Sequence, residues 1–171
     1  MSALSLLLAL LLLACGDSPT SPPADDQLNG QVLFSYRNTK LPDFDYHTIP
    51  AQEVLYWTFE RGDFSFRREI VTDHPGSRLP AEKSTVYWTH GKYWLEECKG
   101  RTCTYVFESI DGESFDYREM QMVANDHSIF TLTFIFGELG VKVEDSVYHC
   151  ATIRDLPQIE SGEWNDLPDI H

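Results

Sequence analysis

The alternation of apolar and polar residues dominates the chain between residues 30 and 153. Its period of two is typical of strands that bury one face, and turn-forming residues interrupt it every eight to twelve residues. The clearest case is 128–136, whose proposed core face holds Phe130, Leu132, Phe134 and Phe136. The pattern predicts nine strands, at 30–36, 53–61, 63–72, 84–89, 92–98, 102–108, 115–123, 128–136 and 141–153.

Glycines between these strands predict tight turns, because glycine tolerates positive φ. The predicted turns are Arg61-Gly62-Asp63, His90-Gly91, Lys99-Gly100-Arg101 and Asp111-Gly112. Helical periodicity is weak throughout, so we expect any helix in the 40–52 loop or the C-terminal tail. A meander of this kind avoids exposed edges by closing on itself. The pattern therefore predicts an all-β antiparallel meander, closed or nearly closed into a barrel, with a β-sandwich as the alternative.

Three segments of the meander resemble bacterial lipocalin-like domains. Residues 54–66 contain a strand that ends near a glycine turn, 89–95 contain Gly91-Lys92-Tyr93, and 130–134 form a late alternating strand. The resemblance covers about 52–136 and implies a meandering barrel that can hold a small apolar ligand. The Gly-x-Trp strand that often begins such domains is absent, since Gly30-Gln31-Val32 contains no tryptophan.

The first fifteen residues follow a different pattern. An uncharged apolar run, 3–14, ends in a small residue directly before Cys15. A membrane-spanning helix needs about 20 apolar residues, so the run fits the apolar region of a signal peptide instead. Leu12-Leu13-Ala14-Cys15 resembles the lipobox of bacterial lipoproteins, although 1–3 lack the usual Lys or Arg. The resemblance implies a signal peptide at 1–14 and lipidation of Cys15.

The regions that flank the meander differ from it in composition. Residues 16–27 have no large apolar side chain and are rich in Pro, Ser and Asp, which predicts a disordered tether over 15–29. We expect the barrel domain at 30–154 and an acidic tail at 155–171. Gly16 directly after the cysteine resembles lipoproteins that are sent to the outer membrane. The expected location is therefore the cell envelope, with the membrane as partner through the lipid anchor.

The net charge of −14 arises largely in the flanks. All 13 Lys and Arg residues lie within 28–154. The segments 15–27 and 155–171 contain Asp and Glu but no Lys or Arg. Acidic residues keep such flanking segments solvated, so their charge needs no binding partner to explain it. Contact with phosphates needs a basic face, so we expect no nucleic-acid partner.

The cysteines outside the lipobox are disulfide candidates if the chain is exported. Cys98 and Cys103 flank a four-residue loop between two predicted strands. A hairpin there places them opposite each other, within disulfide reach. Half of a zinc site is the alternative, but no second paired motif supplies the other ligands. Cys150 is then expected to be an unpaired, buried thiol, and the alternative is that it is the partner of Cys98 or Cys103.

Residues with catalytic potential do not form a recognisable constellation. His149 and Cys150 are adjacent, as are Glu96 and Glu97, and neighbouring residues of a regular strand point to opposite faces. Nucleophile-elbow, phosphate-loop and zinc-protease motifs are absent from the sequence. We therefore predict a protein that is not an enzyme and has neither a cofactor nor a metal site.

The surplus of aromatic residues suggests a ligand site, because pockets have apolar and aromatic walls. Trp94 is the candidate wall residue, since a regular hairpin places it on the face of Cys98 and opposite Phe107. The alternative is that this face of the hairpin is packed core. The function expected is a binding module for a small hydrophobic ligand. The alternative is a pocketless interaction protein, such as an assembly partner or enzyme inhibitor, suggested by Trp164 in the acidic tail.

Overall fold

The computed structural model describes residues 26–42, 48–72 and 83–161. Within these residues, nine strands form one antiparallel sheet, and a short helix follows them. The strands are β1 (Gln31–Pro42), β2 (Thr48–Glu60), β3 (Asp63–Val71), β4 (Lys83–Lys99), β5 (Thr102–Asp116), β6 (Gln121–Ala124), β7 (Ser128–Phe136), β8 (Val141–Val143) and β9 (Ser146–Thr152). A 3₁₀ turn (Ile153–Asp155) leads into helix α1 (Leu156–Ser161).

Eight of the strands close into a barrel, which confirms the predicted closed meander. Each strand pairs with its neighbour in the order β4-β3-β2-β1-β9-β8-β7-β5, and β4 pairs with β5 to complete the ring. Among the described strands, β6 alone lies outside the ring, and it pairs with the C-terminal end of β5. A closed ring leaves no edge along most of the wall, which is the physical advantage of this architecture.

Two predicted turns are wrong, because their glycines lie within long strands. β4 continues through Gly91 and β5 through Gly112, and the register of the two strands shifts once near them, between His90 and Gly91. A Cβ on Gly91 would lie 1.8 Å from the carbonyl oxygen of Glu108, and one on Gly112 would lie 2.5 Å from that of Trp88. These glycines therefore allow close backbone contact at β-bulges rather than chain reversal.

Other boundaries also differ from the prediction. The predicted strand 115–123 spans the end of β5, a turn and β6, and the predicted strand 141–153 is the β8–β9 hairpin. Glu144 at the tip of this hairpin has φ +52°, a conformation that strand periodicity does not reveal. The helix lies in the C-terminal tail, one of the two places predicted for it, and the described residues of 40–52 are strand. The turns at Gly62 and Gly100 are confirmed.

The largest buried cluster fills one half of the barrel with aromatic rings, and a smaller cluster of Leu41, Ile49, Ile70 and Val86 lies in the other half. Phe107 is fully buried and lies against Trp57, Phe59, Phe64, Tyr93, Phe130 and Phe134 at ring-centroid distances of 5.0–6.4 Å. Close packing of this kind leaves little room for a ligand in that half.

A turn that precedes β1 closes this half of the barrel, which we call the plugged end. Leu28 is fully buried in the core, and the Asp26 carboxylate accepts a hydrogen bond from the Tyr93 hydroxyl at 2.5 Å. Asn29 accepts a hydrogen bond from the backbone N–H of Arg61 at 2.8 Å. Residues that the sequence assigns to the tether thus pack against the barrel.

Helix α1 covers the outer face of β1, β2 and β9. Ile159 is fully buried in a cluster with Val32, Phe34, Val54 and Tyr56. Ion pairs lie beside this cluster and connect α1 with β3 and β3 with β4. They link Arg67 to Glu160 and Glu69, and Lys83 to Glu69. The first residues of the acidic tail are therefore part of the folded domain.

Candidate functional site

Three charged residues lie on strand positions that face the barrel interior. Arg37 is opposite Glu53 across β1 and β2, and Arg68 stands one pair away on β3, opposite Leu55. Strand side chains alternate between faces, so Glu53 is in phase with the core residues Leu55 and Trp57. We call Arg37, Glu53 and Arg68 the charged triad. The fully buried Ile70 is opposite Glu53, and with Leu41, Ile49 and Val86 it forms a buried apolar cluster at the same end of the barrel.

The triad has a fixed arrangement around one carboxylate. Glu53 is 1 % exposed, and each of its oxygens pairs with one guanidinium: Oε2 accepts from Nε of Arg37, and Oε1 from Nε of Arg68. The buried carboxylate is therefore compensated, as a buried charge must be. Both arginine side chains remain partly exposed, at 64 % for Arg37 and 45 % for Arg68.

Two tyrosines stand near the triad. Tyr87 on β4 is opposite Arg68, and burial raises the pKa of its hydroxyl. The pKa of Tyr117 is also raised, chiefly by burial. The positive charge of Arg68 opposes this rise, and the negative charge of Glu53 adds to it. Both hydroxyls therefore stay protonated at neutral pH and can donate hydrogen bonds.

At the margin of the packed core lies a belt of apolar residues that face inward, with Phe130 opposite Phe107 and Leu132 opposite Tyr105. Phe66 on β3 and Phe130 and Leu132 on β7 pack against the core but stay only partly buried. Partial exposure of inward-facing apolar side chains means that the packing of the core does not enclose them fully. Apolar walls with a few polar groups at one end are typical of ligand sites.

The barrel wall is incomplete beside this belt. β1 pairs with β9 only through Gln31–Phe34, and β7 pairs with β8 only through Phe134–Phe136. Between residues 35–42 of β1 and residues 128–133 of β7, no described strand is hydrogen-bonded to either one. We call this interruption the side gap. Ser35 and Arg37 lie on its β1 edge, and Phe130 and Leu132 lie on its β7 edge.

The predicted position of Trp94 is wrong. A register shift between Leu95 and Glu97 moves the pairing by one residue, so that Tyr93 is opposite Phe107 and Trp94 is opposite Val106. Trp94 therefore lies on the outer face and is 46 % exposed. Phe107 does face inward, but aromatic rings surround it in the filled half of the barrel.

The predicted disulfide is present. Cys98 and Cys103 are directly opposite each other across β4 and β5, and they are bonded with their Cα atoms 4.1 Å apart. This pairing excludes a bridge from either of them to Cys150. Cys15, the predicted lipidation site, lies outside the described residues, as does the segment around Trp164.

Sequence reasoning missed the charged triad, although a signal for it exists. Glu53 falls in phase with Leu55, Trp57 and Phe59, and Arg68 falls in phase with Phe64 and Phe66. A charged residue in phase with a core face is a local violation of strand patterning, and such violations often mark functional sites. That the three residues meet is visible only once strand register is known.

Comparison with known proteins leaves the fold as the guide to function. No known family, no curated protein and no solved structure matches this chain. Within 26–42, 48–72 and 83–161, no helix has the length and apolar composition to cross a bilayer. In the same ranges, no three His, Cys, Asp or Glu side chains are placed to hold a metal ion.

Proposed function

We propose that the protein is a lipid-anchored binding module of the cell envelope that holds a small hydrophobic ligand at the side gap of its barrel. The observation that carries this proposal is the belt of Phe66, Phe130 and Leu132, which faces inward without being fully buried. The side gap beside the belt offers a route to it. An apolar ligand that covers these side chains gains free energy by removing their surface from water.

The ligand experiment uses dodecanol as an uncharged apolar probe, with tryptophan fluorescence as the readout. Leu132→Trp adds volume at the belt and is expected to weaken dodecanol binding. Thr131→Trp is the matched control, because the neighbouring residue is exposed on the outer face of the same strand. Absence of dodecanol binding to the wild-type domain, or equal effects of the two variants, would contradict the proposal.

The lipid anchor is proposed from the lipobox at Cys15 and the polar segment that follows it. Several acyl chains on one cysteine bind a membrane firmly, whereas a single chain binds weakly. Cys15→Ala is expected to release the protein from the membrane fraction and to abolish incorporation of labelled palmitate, without unfolding the barrel. A variant that still sediments with membranes would place the anchor elsewhere. The outer membrane is the proposed destination.

A pocketless interaction protein is the second candidate, and the outer face of β4 and β7 favours it. Trp94, Ile129 and Ile135 are 46 %, 63 % and 45 % exposed on this face. Exposed apolar side chains can contribute to a protein interface, and here the exposed Thr131 and Thr133 separate Ile129 from Ile135 along β7. The dodecanol experiment separates the two candidates, because an interaction protein without a pocket has no reason to bind an apolar probe at the belt.

A further inference from the structure

A groove on the outer face of the barrel crosses β3, β4 and β5 and is separate from the interior. Arg67 is opposite Trp88 across β3 and β4, and Trp88 is opposite Glu113 across β4 and β5. Residues directly opposite each other share a face of the sheet, and Arg67 follows the inward-facing Phe66, so all three side chains lie on the outer face. We call this the outer groove, whose walls also include Ser65, His90 and Met122.

Trp88 gives the outer groove an aromatic surface in a fixed orientation. Its side chain is partly exposed, and its indole N–H donates a hydrogen bond to Oε2 of Glu113 at 2.9 Å. The exposed imidazole of His90 is parallel to the indole, with the ring centroids 5.9 Å apart. Because these contacts already orient the indole, a ligand that lies on it loses little free energy in ordering the ring.

The second feature of the outer groove is an uncompensated carboxylate. Glu113 is partly buried, and its hydrogen-bond donor is the neutral indole of Trp88. Within the ranges that the structure describes, Glu113 takes part in no ion pair. A full negative charge therefore lies beside the edge of the aromatic ring, without a cation of the protein to balance it.

Arg67 does not supply that cation, although it lines the groove. Its guanidinium lies 5.2 Å from the centre of the Tyr56 ring, which is on β2, whereas Trp88 and Glu113 are on the other side of β3. The positive charges of Arg67 and Lys83 are balanced by ion pairs with two carboxylates, those of Glu69 and Glu160. The charge of Glu113 thus remains available to a ligand.

We propose that Trp88 and Glu113 bind the quaternary ammonium group of a small organic cation, of which choline is the simplest probe. The π face of a tryptophan attracts a cation more strongly than that of any other side chain, and Glu113 adds a full negative charge. A primary ammonium has three N–H donors that all need acceptors. A quaternary ammonium has none, and its methyl groups fit walls made of an indole and the side chain of Met122.

The simpler explanation is that Glu113 serves only to accept the indole N–H and that the outer groove has no ligand. Choline and dimethylbutanol, its uncharged analogue with carbon in place of nitrogen, separate the two explanations, because they share a shape and differ in charge. Calorimetry on the full chain gives both affinities. The indole N–H resonances in NMR spectra report whether the probe lies at Trp88.

We expect choline to bind with a Kd of about 1 mM or below, and at least about ten-fold more tightly than dimethylbutanol. Rising salt should weaken the binding, since the outer groove is open to solvent. Equal affinities of the two probes, or no binding of choline up to about 10 mM, would overturn the inference. Either result leaves the proposed ligand of the barrel interior unaffected, because the two sites lie on opposite faces of the wall.

A quaternary ammonium group occurs both on free solutes and on lipid headgroups, and phosphocholine distinguishes these sources. Tighter binding of choline than of phosphocholine would support a free solute as the ligand. Binding of phosphocholine at least as tight as that of choline would support a headgroup. Both results support the ammonium site itself.

Variants locate the site. Glu113→Gln keeps an oxygen that accepts the indole N–H but removes the charge, and it is expected to weaken choline binding about ten-fold without changing dimethylbutanol binding. Trp88→Leu removes the ring and should weaken choline binding by at least as much. The matched controls are Glu96→Gln and Trp94→Leu, since both residues are exposed on the same strand, away from the groove, and should leave the choline affinity unchanged. A preference for choline over dimethylbutanol that survives in folded Glu113→Gln would refute the assignment, even if Trp88→Leu does not fold.

Discussion

Replacement of Phe107 by alanine tests which half of the barrel is filled. The side chain is fully buried, and its ring lies 5.0 Å from that of Phe64 and 5.3 Å from that of Phe130. A Phe→Ala change in a core costs about 3–5 kcal/mol, of which part arises from the cavity left behind. Six aromatic neighbours place Phe107→Ala in the upper part of this range, at about 4–5 kcal/mol, because ring pairs add to simple burial.

Trp94→Ala is the matched control on the opposite face of the same hairpin. We expect it to cost about 1 kcal/mol, because truncation of a half-exposed side chain leaves no internal cavity. Chemical denaturation followed by circular dichroism measures both changes in the free energy of unfolding. In a thermal scan, Phe107→Ala should lower the melting temperature by about 10–15 °C, since each kcal/mol shifts a domain of this size by about 2–4 °C.

The comparison also tests the register of β4 against β5. Without the shift between Leu95 and Glu97, Trp94 would face inward opposite Phe107, and its truncation would be as costly as that of Phe107. Equal destabilisation by the two variants would therefore refute both the register and the position of the core. A mild effect of Phe107→Ala alone would show that the filled half of the barrel is loosely packed.

Three further predictions concern stability. Peptide mapping without reductant should recover Cys98 linked to Cys103, and a linkage of either to another cysteine would contradict the hairpin. Replacing both by serine should lower the free energy of unfolding by about 2 kcal/mol, since the closed loop is short. Ile159→Ala should destabilise the domain by about 2–4 kcal/mol in denaturant, because the side chain is fully buried under α1; an effect below about 1 kcal/mol would mean that the helix is not docked. Burial and, next, the nearby Asp26 carboxylate raise the pKa of Tyr93 and Tyr105 above the ordinary value of 10.0. The unfolded chain then loses these protons first, so stability is complete below about pH 10 and falls as the pH rises above it. Unfolding midpoints that stay constant up to about pH 11 would refute this.

Local patterns were sufficient to predict most of the strands. Period-two alternation located β7 at its true bounds, and the turns at Gly62 and Gly100 followed from glycine between two alternating runs. The disulfide between Cys98 and Cys103 followed from the short loop that they flank. These features depend on residues close together in the chain, so neighbouring side chains and backbone preferences determine them.

The tertiary structure decided everything that depends on a partner strand. Glu96 is an extra residue only relative to β5, and this shift turns Trp94 outward. In the sequence, Gly91 looks the same as a glycine in a turn. Only the close approach of the Glu108 carbonyl shows that it lies at a β-bulge and not in a turn. A strand's own sequence contains the alternation of its faces but not the register of its neighbour.

The candidate site shows the same division most clearly. The sequence by itself determined that Glu53 and Arg68 are each in phase with apolar residues of their own strands. The pairing of three strands was needed to bring Arg37 and Arg68 to the buried carboxylate of Glu53. The physical reason is that a buried charge is tolerated only with a partner, and the partner comes from another strand, a relation that no single segment of the chain contains.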